Sequence, residues 1–136
     1  MREILFKAKR IDNGEWAQGA VLFHDTDATT IFNQHMGDGS LQGFEVNPST
    51  ICQYTGLKDK NGNKIWENDI FQYTDGTMVT QKDLIEYNET HASFVRLRNT
   101  EKLGLQYLWI DEATCNHGEV IGNIFDNPEL LQEGYK

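Results

Sequence analysis

The sequence predicts a mainly β fold with little helix. Apolar and polar residues alternate from the first residues onward, and short β-branched or aromatic runs follow one another between turn residues. The chain has 136 residues, 38% of them hydrophobic and 11% aromatic, which suits one ordinary domain or two very small ones. We therefore expect an N-terminal β-hairpin region packed on a small SH3-like barrel or sandwich, followed by a short C-terminal helical turn.

The N-terminal region, residues 1–47, begins with a strand and its hairpin partner. Alternation over residues 3–9 predicts the first strand. The segment Asp12-Asn13-Gly14 predicts a turn because Asn and Gly tolerate positive φ angles, and residues 16–23 are the expected return strand. The pattern weakens over residues 24–47, where Gly and Asp residues predict turns around short apolar pairs.

The second region, residues 48–136, is predicted to be a small β-barrel-like part that packs with the first as one compact unit. The Asn61-Gly62 dipeptide between two hydrophobic runs is its strongest hairpin signal. Residues 111–116 predict about one helical turn, and Asn127 followed by Pro128 predicts the start of another. Five further strands are predicted at residues 70–73, 84–87, 93–97, 105–110 and 120–125.

The charge balance disfavours nucleic acid and membranes as partners. The chain carries 12 basic and 21 acidic residues, a formal net charge of -9, which repels phosphate backbones and anionic lipid. The residues Lys7, Lys9, Arg10, Arg96 and Arg98 are interpreted as solvated strand faces rather than a basic patch. With neither a signal peptide nor a long apolar run in the sequence, we expect a cytoplasmic protein.

Metal and cofactor sites are not predicted. Cys52 and Cys115 are the only cysteines, and we expect two buried thiols. A zinc site would draw on these cysteines together with His24, His35, His91 and His117, but no paired spacing supports it. The segment 59–63 imitates the start of a calcium loop, yet Lys64 stands where that loop needs Gly and Ile70 where it needs Glu.

Catalytic residues are not predicted either. Asp83 with Glu86, or Asp111 with Glu112, could be drawn as an acid/base pair, but solvated charge is the stronger interpretation. Nothing in the spacing selects a histidine to activate either cysteine. The sequence also lacks a phosphate loop, a dinucleotide fingerprint and a nucleophile elbow.

Three aromatic residues, Trp66, Tyr107 and Trp109, are the candidate interaction surface. Exposed rings of this kind could stack bases beside Arg96 and Arg98 or contact a protein partner. Packing in the core of a small β domain is the competing interpretation.

Three segments resemble the YopX family of bacteriophage and prophage proteins. They are residues 54–70, the closing segment 119–131 and the opening residues 1–8, in the family's order and spacing. The family usually has Gly where this chain has Asn68, and Asn is the next-best residue for a left-handed backbone position. The resemblance implies a phage-encoded protein inside a bacterial cell, without an established activity or functional residues that could be carried over.

The predicted function is that of a non-enzymatic accessory protein that binds a host or phage protein or its own copies. An acidic surface and open strand edges suit such binding, and a homo-oligomer is expected by default. The first alternative is a nucleic-acid-associated phage regulator, and the second is a hydrolase or metal enzyme.

Overall fold

The computed structural model describes residues 2–24, 28–34, 39–74 and 76–131. Within these ranges the chain forms strands joined mostly by tight turns and three short helical segments. The strands are β1 (Phe6–Lys9), β2 (Trp16–Phe23), β3 (Thr29–Gln34), β4 (Leu41–Glu45), β5 (Cys52–Lys58), β6 (Lys64–Trp66), β7 (Asp69–Thr74), β8 (Thr80–Asn88), β9 (Ser93–Thr100), β10 (Gly104–Trp109) and β11 (Gly118–Asn123). The helical segments are a 3₁₀ turn at Pro48–Thr50, helix α1 at Glu112–Cys115 and a 3₁₀ turn at Pro128–Leu130.

The strands form two antiparallel sheets. One has the order β4-β3-β2-β1-β5-β6, and the other has the order β10-β9-β8-β7-β11. The predicted mainly β fold and the short C-terminal helical turn are confirmed. The barrel form of the prediction is wrong, because β10 and β11 lie at opposite ends of their sheet and do not pair among the described residues.

The chain divides into two compact units, Met1–Tyr54 and Thr55–Lys136. The boundary falls within β5, further along the chain than the boundary predicted at residues 47 and 48. The first part of β5 pairs with β1, where Cys52 lies opposite Lys7. Beyond the boundary, the Thr55 hydroxyl donates to the carbonyl oxygen of Ile65 on β6 at 2.7 Å. β5 is therefore divided between the two units.

The first unit has a small apolar core. Four buried residues pack together in it, Ala8, Ala17, Ile31 and Val46. The weakly patterned residues 24–47 contribute two of these four through β3 and the segment after β4. Gly19 on β2 has no room for a side chain, since an added β carbon would overlap the carbonyl oxygen of Phe32 on β3. Close backbone contact between these two strands thus requires glycine.

The second unit has a larger core with an aromatic centre. Ile65, Phe71, Ile85 and Cys115 are buried together. Gly118, at the start of β11, packs on the ring of Phe71, and an added β carbon would overlap that ring. Strand and helix residues thus pack around Phe71, which has no measurable exposure.

The turns predicted in the family-like segments form as expected. Gly62, at the tip of the β5–β6 hairpin, has φ of 81°, and Asn68, between β6 and β7, has φ of 72°. Asn68 therefore occupies a left-handed position that suits the glycine usual in the family. Near the C-terminus Pro128 begins the 3₁₀ turn, but the Asn127 side chain does not cap it. Its Oδ1 instead accepts from the backbone N–H of Asn123 at 3.3 Å.

Candidate functional site

The three aromatic residues of the predicted surface have different environments. Trp66 on β6 is only 5% exposed, whereas Tyr107 is 59% and Trp109 is 70% exposed on β10. A buried indole cannot contact a partner, so Trp66 is removed from the candidate surface. Its side chain belongs to the interior of the second unit, as the competing core interpretation holds.

Leu105 joins Tyr107 and Trp109 on one face of β10. Residues two apart in a strand point to the same side of the sheet, and Leu105 is 52% exposed. We name these three residues the β10 strip. In the sequence, Leu105 could be assigned to this face only from its period-two spacing with Tyr107 and Trp109. That spacing does not distinguish a buried strand face from an exposed one.

The β10 strip extends a buried apolar face to the border of the sheet. Tyr107 lies directly opposite Leu97 on β9, and Trp109 lies directly opposite Val95. Both β9 residues are 4% exposed. Directly opposed residues of antiparallel strands lie on the same face of the sheet. This apolar face is therefore buried at β9 and exposed to solvent at β10.

The outer edge of β10 is open. β10 is the last strand of its sheet, and no other strand of the described residues pairs with its outer edge. β11, at the other end of the sheet, is hydrogen-bonded to the β5–β6 hairpin. The Lys60 N–H donates to the Gly118 carbonyl at 3.0 Å, and the Val120 N–H donates to the Asp59 carboxylate at 2.9 Å. The pairing of β11 with β7 also shifts register between Val120 and Gly122.

A buried ionic cluster lies on the opposite face of the same sheet. Asp83 on β8 is fully buried and accepts from two arginines of β9. The Arg96 Nη1 lies 2.9 Å from its Oδ2, and Arg98 makes a two-pronged contact through Nε at 2.7 Å and Nη2 at 2.9 Å. Parallel contacts of this kind give an ion pair a fixed geometry.

The ionic cluster also holds the end of β10. Arg96 Nε donates to the carbonyl oxygen of Trp109 at 2.9 Å, and its guanidinium lies 5.3 Å from the ring centre of Tyr73. Arg96 is thus bound to a carboxylate, a ring and the edge strand at once. Since Arg96 and Arg98 lie on the face away from the β10 strip, the basic aromatic platform of the nucleic-acid alternative is not assembled.

The carboxylate pairs drawn from the sequence have other partners. Asp83 and Glu86 lie on opposite faces of β8 because they are separated by an odd number of positions. Asp111 caps α1, and the hydrogen bond from the Thr114 backbone holds the pKa of Asp111 below its ordinary value. The first pair is therefore kept apart by the sheet, and the Asp111 carboxylate of the second pair is bound at the start of α1.

The Asp59 carboxylate organises the hairpin that resembled a calcium loop. It accepts from the backbone N–H groups of Asn61, Asn63 and Val120, each at 2.9 Å. Burial alone raises the pKa of Asp59, but these hydrogen bonds outweigh burial and hold the pKa below its ordinary value. The oxygens that a cation would need are already bound to the protein's own N–H groups.

The cysteine and histidine candidates are not assembled into a site. Burial, followed in effect by the nearby Asp111, raises the pKa of the Cys115 thiol to about 11, which disfavours a thiolate at neutral pH. Cys52 is also buried, while His35 lies outside the described residues. Among residues 2–24, 28–34, 39–74 and 76–131, no group of three or more His, Cys, Asp or Glu side chains could hold a metal ion. No helix within these ranges is long and apolar enough to span a bilayer.

The chain is similar to known proteins over almost its whole length. The sequence model of a family described as "YopX protein" matches residues 6–132. Among solved structures, the chain is similar to one described as "Crystal structure of protein EF1440 from Enterococcus faecalis". The two are 26% identical, the match covers 97% of this chain and 100% of the other, and the TM-score is 0.56. No curated protein matches the chain. The resemblance carried by the three sequence segments is thereby confirmed.

Proposed function

Because the chain belongs to the YopX family, we propose that it is a phage-type accessory protein that binds another protein through β10 without catalysing a reaction. The observation that carries this proposal is the open edge of β10 beside the exposed side chains of Leu105, Tyr107 and Trp109. Strand edges bind extended segments through backbone hydrogen bonds, and alternate side chains supply specificity.

Aromatic residues are well suited to this role. Tyr and Trp bury a large area with little loss of side-chain entropy, and they are enriched at the centres of protein interfaces. Tyr107 and Trp109 are held on a strand whose last carbonyl is bound by Arg96. A fixed surface loses less free energy on binding than a flexible one.

The test is affinity capture from a nuclease-treated bacterial lysate with the tagged full chain and with a Tyr107→Ser/Trp109→Ser variant. We expect a protein captured at near-stoichiometric level by the wild type and at least about 10-fold less by the variant. The matched control is Phe23→Ser, since Phe23 is 69% exposed on β2 and is not part of the β10 strip. This control should capture as the wild type does.

Two outcomes would contradict the proposal. Capture that survives the Tyr107→Ser/Trp109→Ser substitutions would place the binding surface elsewhere. Recovery of nuclease-sensitive material alone, in a parallel lysate without nuclease, would favour a nucleic-acid-associated protein. Far-UV circular dichroism of each variant checks that the strands are retained.

A further inference from the structure

We propose that a second copy of the chain pairs with the outer edge of β10 and covers the β10 strip until the protein partner replaces it. The inference rests on the proposed function, because it concerns the same edge, and it adds how that edge is closed when the partner is absent. It is carried by the uncharged edge, by the order of the side chains in the strip and by the area that they can bury.

The outer edge of β10 lacks the features that usually prevent strand addition. Charged side chains, prolines and bulges are the common ones. β10 contains neither a charged residue nor a proline. Its register with β9 runs without a shift from Gly104 opposite Thr100 to Trp109 opposite Val95. Such an edge is a template for another strand, and a second copy of the chain brings an identical edge.

The face that carries the β10 strip has no charged residue on either of the two strands at this end of the sheet. On β9 it presents Ser93, Val95, Leu97 and Asn99, and on β10 it presents the strip itself. Two copies paired at this edge therefore bring no like charges opposite each other. A partner of either charge has nothing on these two strands to attract it.

The β10 strip is complementary to itself. Directly opposed residues of antiparallel strands lie on the same face. A two-fold axis at Tyr107 places the two Tyr107 rings opposite each other, and it places Leu105 of each copy opposite Trp109 of the other. No other antiparallel register puts every residue of the strip opposite a residue of the strip. Aromatic pairs and aromatic–aliphatic pairs at such positions stabilise antiparallel strands.

The area that the strip can bury suits a weak dimer. Tyr107 is 59% exposed and Trp109 is 70% exposed. Because a large aromatic side chain has about 150–250 Å² to bury, these two rings offer roughly 250 Å² in each copy. Both copies, with Leu105 and the strand edges included, stay below the roughly 1,200 Å² at which stable interfaces begin. A partner with a larger contact can therefore replace the second copy.

The first test is sedimentation velocity of the full chain over a range of protein concentrations. We expect monomer and dimer in equilibrium, with a Kd of about 10–100 µM. Each copy carries a net charge of -9, and salt screens the repulsion between copies, so the dimer should strengthen as the salt concentration rises. A chain that remains a monomer at about 1 mM would overturn the inference.

Variants assign the dimer to the strip. Tyr107→Ser/Trp109→Ser should raise the dimer Kd at least about 10-fold. The matched control is Phe23→Ser, since Phe23 is 69% exposed on β2. This control should keep the wild-type Kd within about 2-fold, as expected for a surface residue away from the contact. A dimer that survives in the double variant would overturn the assigned edge.

Cysteine cross-linking tests the register. Directly opposed Cα atoms are about 4.5–5.5 Å apart, which suits a disulfide, so Tyr107→Cys should form a covalent dimer when copper–phenanthroline is the oxidant. Leu105→Cys is the matched control, because its two copies would lie about 13 Å apart along the paired strands. The wild type should not cross-link, since Cys52 and Cys115 are buried. Equal cross-linking of the two variants would overturn the axis at Tyr107.

The remaining outcomes separate this inference from the proposed function. The protein captured from the lysate should dissociate the dimer as it binds. A chain that captures a partner through β10 but is a monomer when alone would overturn the second copy and leave the proposed function intact. A dimer that forms through β10 and captures no other protein would support the second copy and contradict the proposed function. A partner that binds the intact dimer would overturn replacement at a shared edge.

Discussion

Gly118 lies where one added methyl group has no room. An alanine β carbon there would overlap the ring of Phe71 and lie 2.8 Å from the carbonyl oxygen of Gln72. We expect Gly118→Ala to lower the free energy of unfolding by about 1–3 kcal/mol, because the fully buried ring must move. Urea unfolding followed by intrinsic fluorescence measures the change.

Gly76 provides the control for Gly118. A β carbon added at Gly76 would have open space around it, since no heavy atom lies within 4 Å. Gly76→Ala should therefore change the urea midpoint much less than Gly118→Ala. Equal effects of the two substitutions would mean that the contact with Phe71 does not limit this site.

Asp59 makes the free energy of unfolding depend on pH in the acid range. Its folded-state pKa is lowered, so its contribution is present above the unfolded value of about 3.9 and is lost as the pH falls through the folded value. We expect the urea midpoint of the wild type to fall as the pH is lowered from about 5 to 3. Asp59→Asn should cost about 2 kcal/mol at pH 7, because its amide accepts less strongly from the three backbone donors.

The pH dependence of the urea midpoint separates two effects of Asp59→Asn, the weaker hydrogen bonds and the loss of a titrating group. Asparagine does not titrate, so the variant should lose less stability than the wild type over the same interval. Identical pH slopes for both proteins would assign the acid sensitivity to other carboxylates. The hairpin turn itself was predictable from Asn61-Gly62, whereas the role of Asp59 was not, because its partner Val120 is distant in the sequence.

At the scale of elements, the Asp83 cluster joins β8, β9 and the end of β10. Asp83→Asn leaves Arg96 and Arg98 poorly compensated in a mostly buried place. We expect the free energy of unfolding to fall by about 3 kcal/mol. The backbone near Trp109 should also exchange amide hydrogens faster, because the Arg96 contact to its carbonyl loses its support.

An exposed ion pair serves as the control for Asp83→Asn. Arg10 and Asp12 form a contact of 2.6 Å in the first unit, where the Asp12 side chain is 64% exposed. Asp12→Asn should change stability much less, since solvent screens an exposed pair. A similar loss in both variants, or unchanged exchange near Trp109, would contradict the assigned role of the cluster.

Most strands could be predicted because the alternation of apolar and polar residues is visible in a single sequence. The strand expected at residues 16–23 is β2 with the same bounds, and the turn at 111–116 is α1 with its cap. β3 and β4 were obscured by the turn-forming residues around them. The exposure of the β10 strip could not be predicted, because alternation identifies a strand face without telling whether another layer covers it.

At the scale of the whole molecule, the two cysteines report on the two units separately. Cys52 belongs to the first unit and Cys115 to the second, and each is 1% exposed. We expect both thiols to react with Ellman's reagent at least about 100-fold more slowly in the native protein than in urea, corresponding to an opening free energy of about 3 kcal/mol.

Single-cysteine variants assign the rates to each unit. Cys52→Ala leaves only Cys115, and Cys115→Ala leaves only Cys52, so each reaction follows one core. Fast reaction of either thiol without denaturant would show that its unit opens more readily than its burial indicates. Circular dichroism of both variants provides the check on folding.

Sheet closure is the large-scale property that the sequence did not determine. Strand lengths and spacing suit a barrel and an open sheet equally, since closure depends on strand tilt and stagger. The edges left by the open form are not equivalent, because the Asp59 hairpin binds β11 and leaves β10 exposed. The candidate site therefore follows from long-range hydrogen bonds rather than from any local motif.

The packing of Gly19 limits how this gene can vary. Every missense change of a glycine codon introduces a β carbon, and at Gly19 that atom would overlap the backbone of Phe32, which cannot rotate away as a side chain can. We expect natural and laboratory variation to avoid this codon while tolerating changes at the open position Gly76. A saturation library scored for soluble expression would then show an invariant codon within an otherwise substitutable strand.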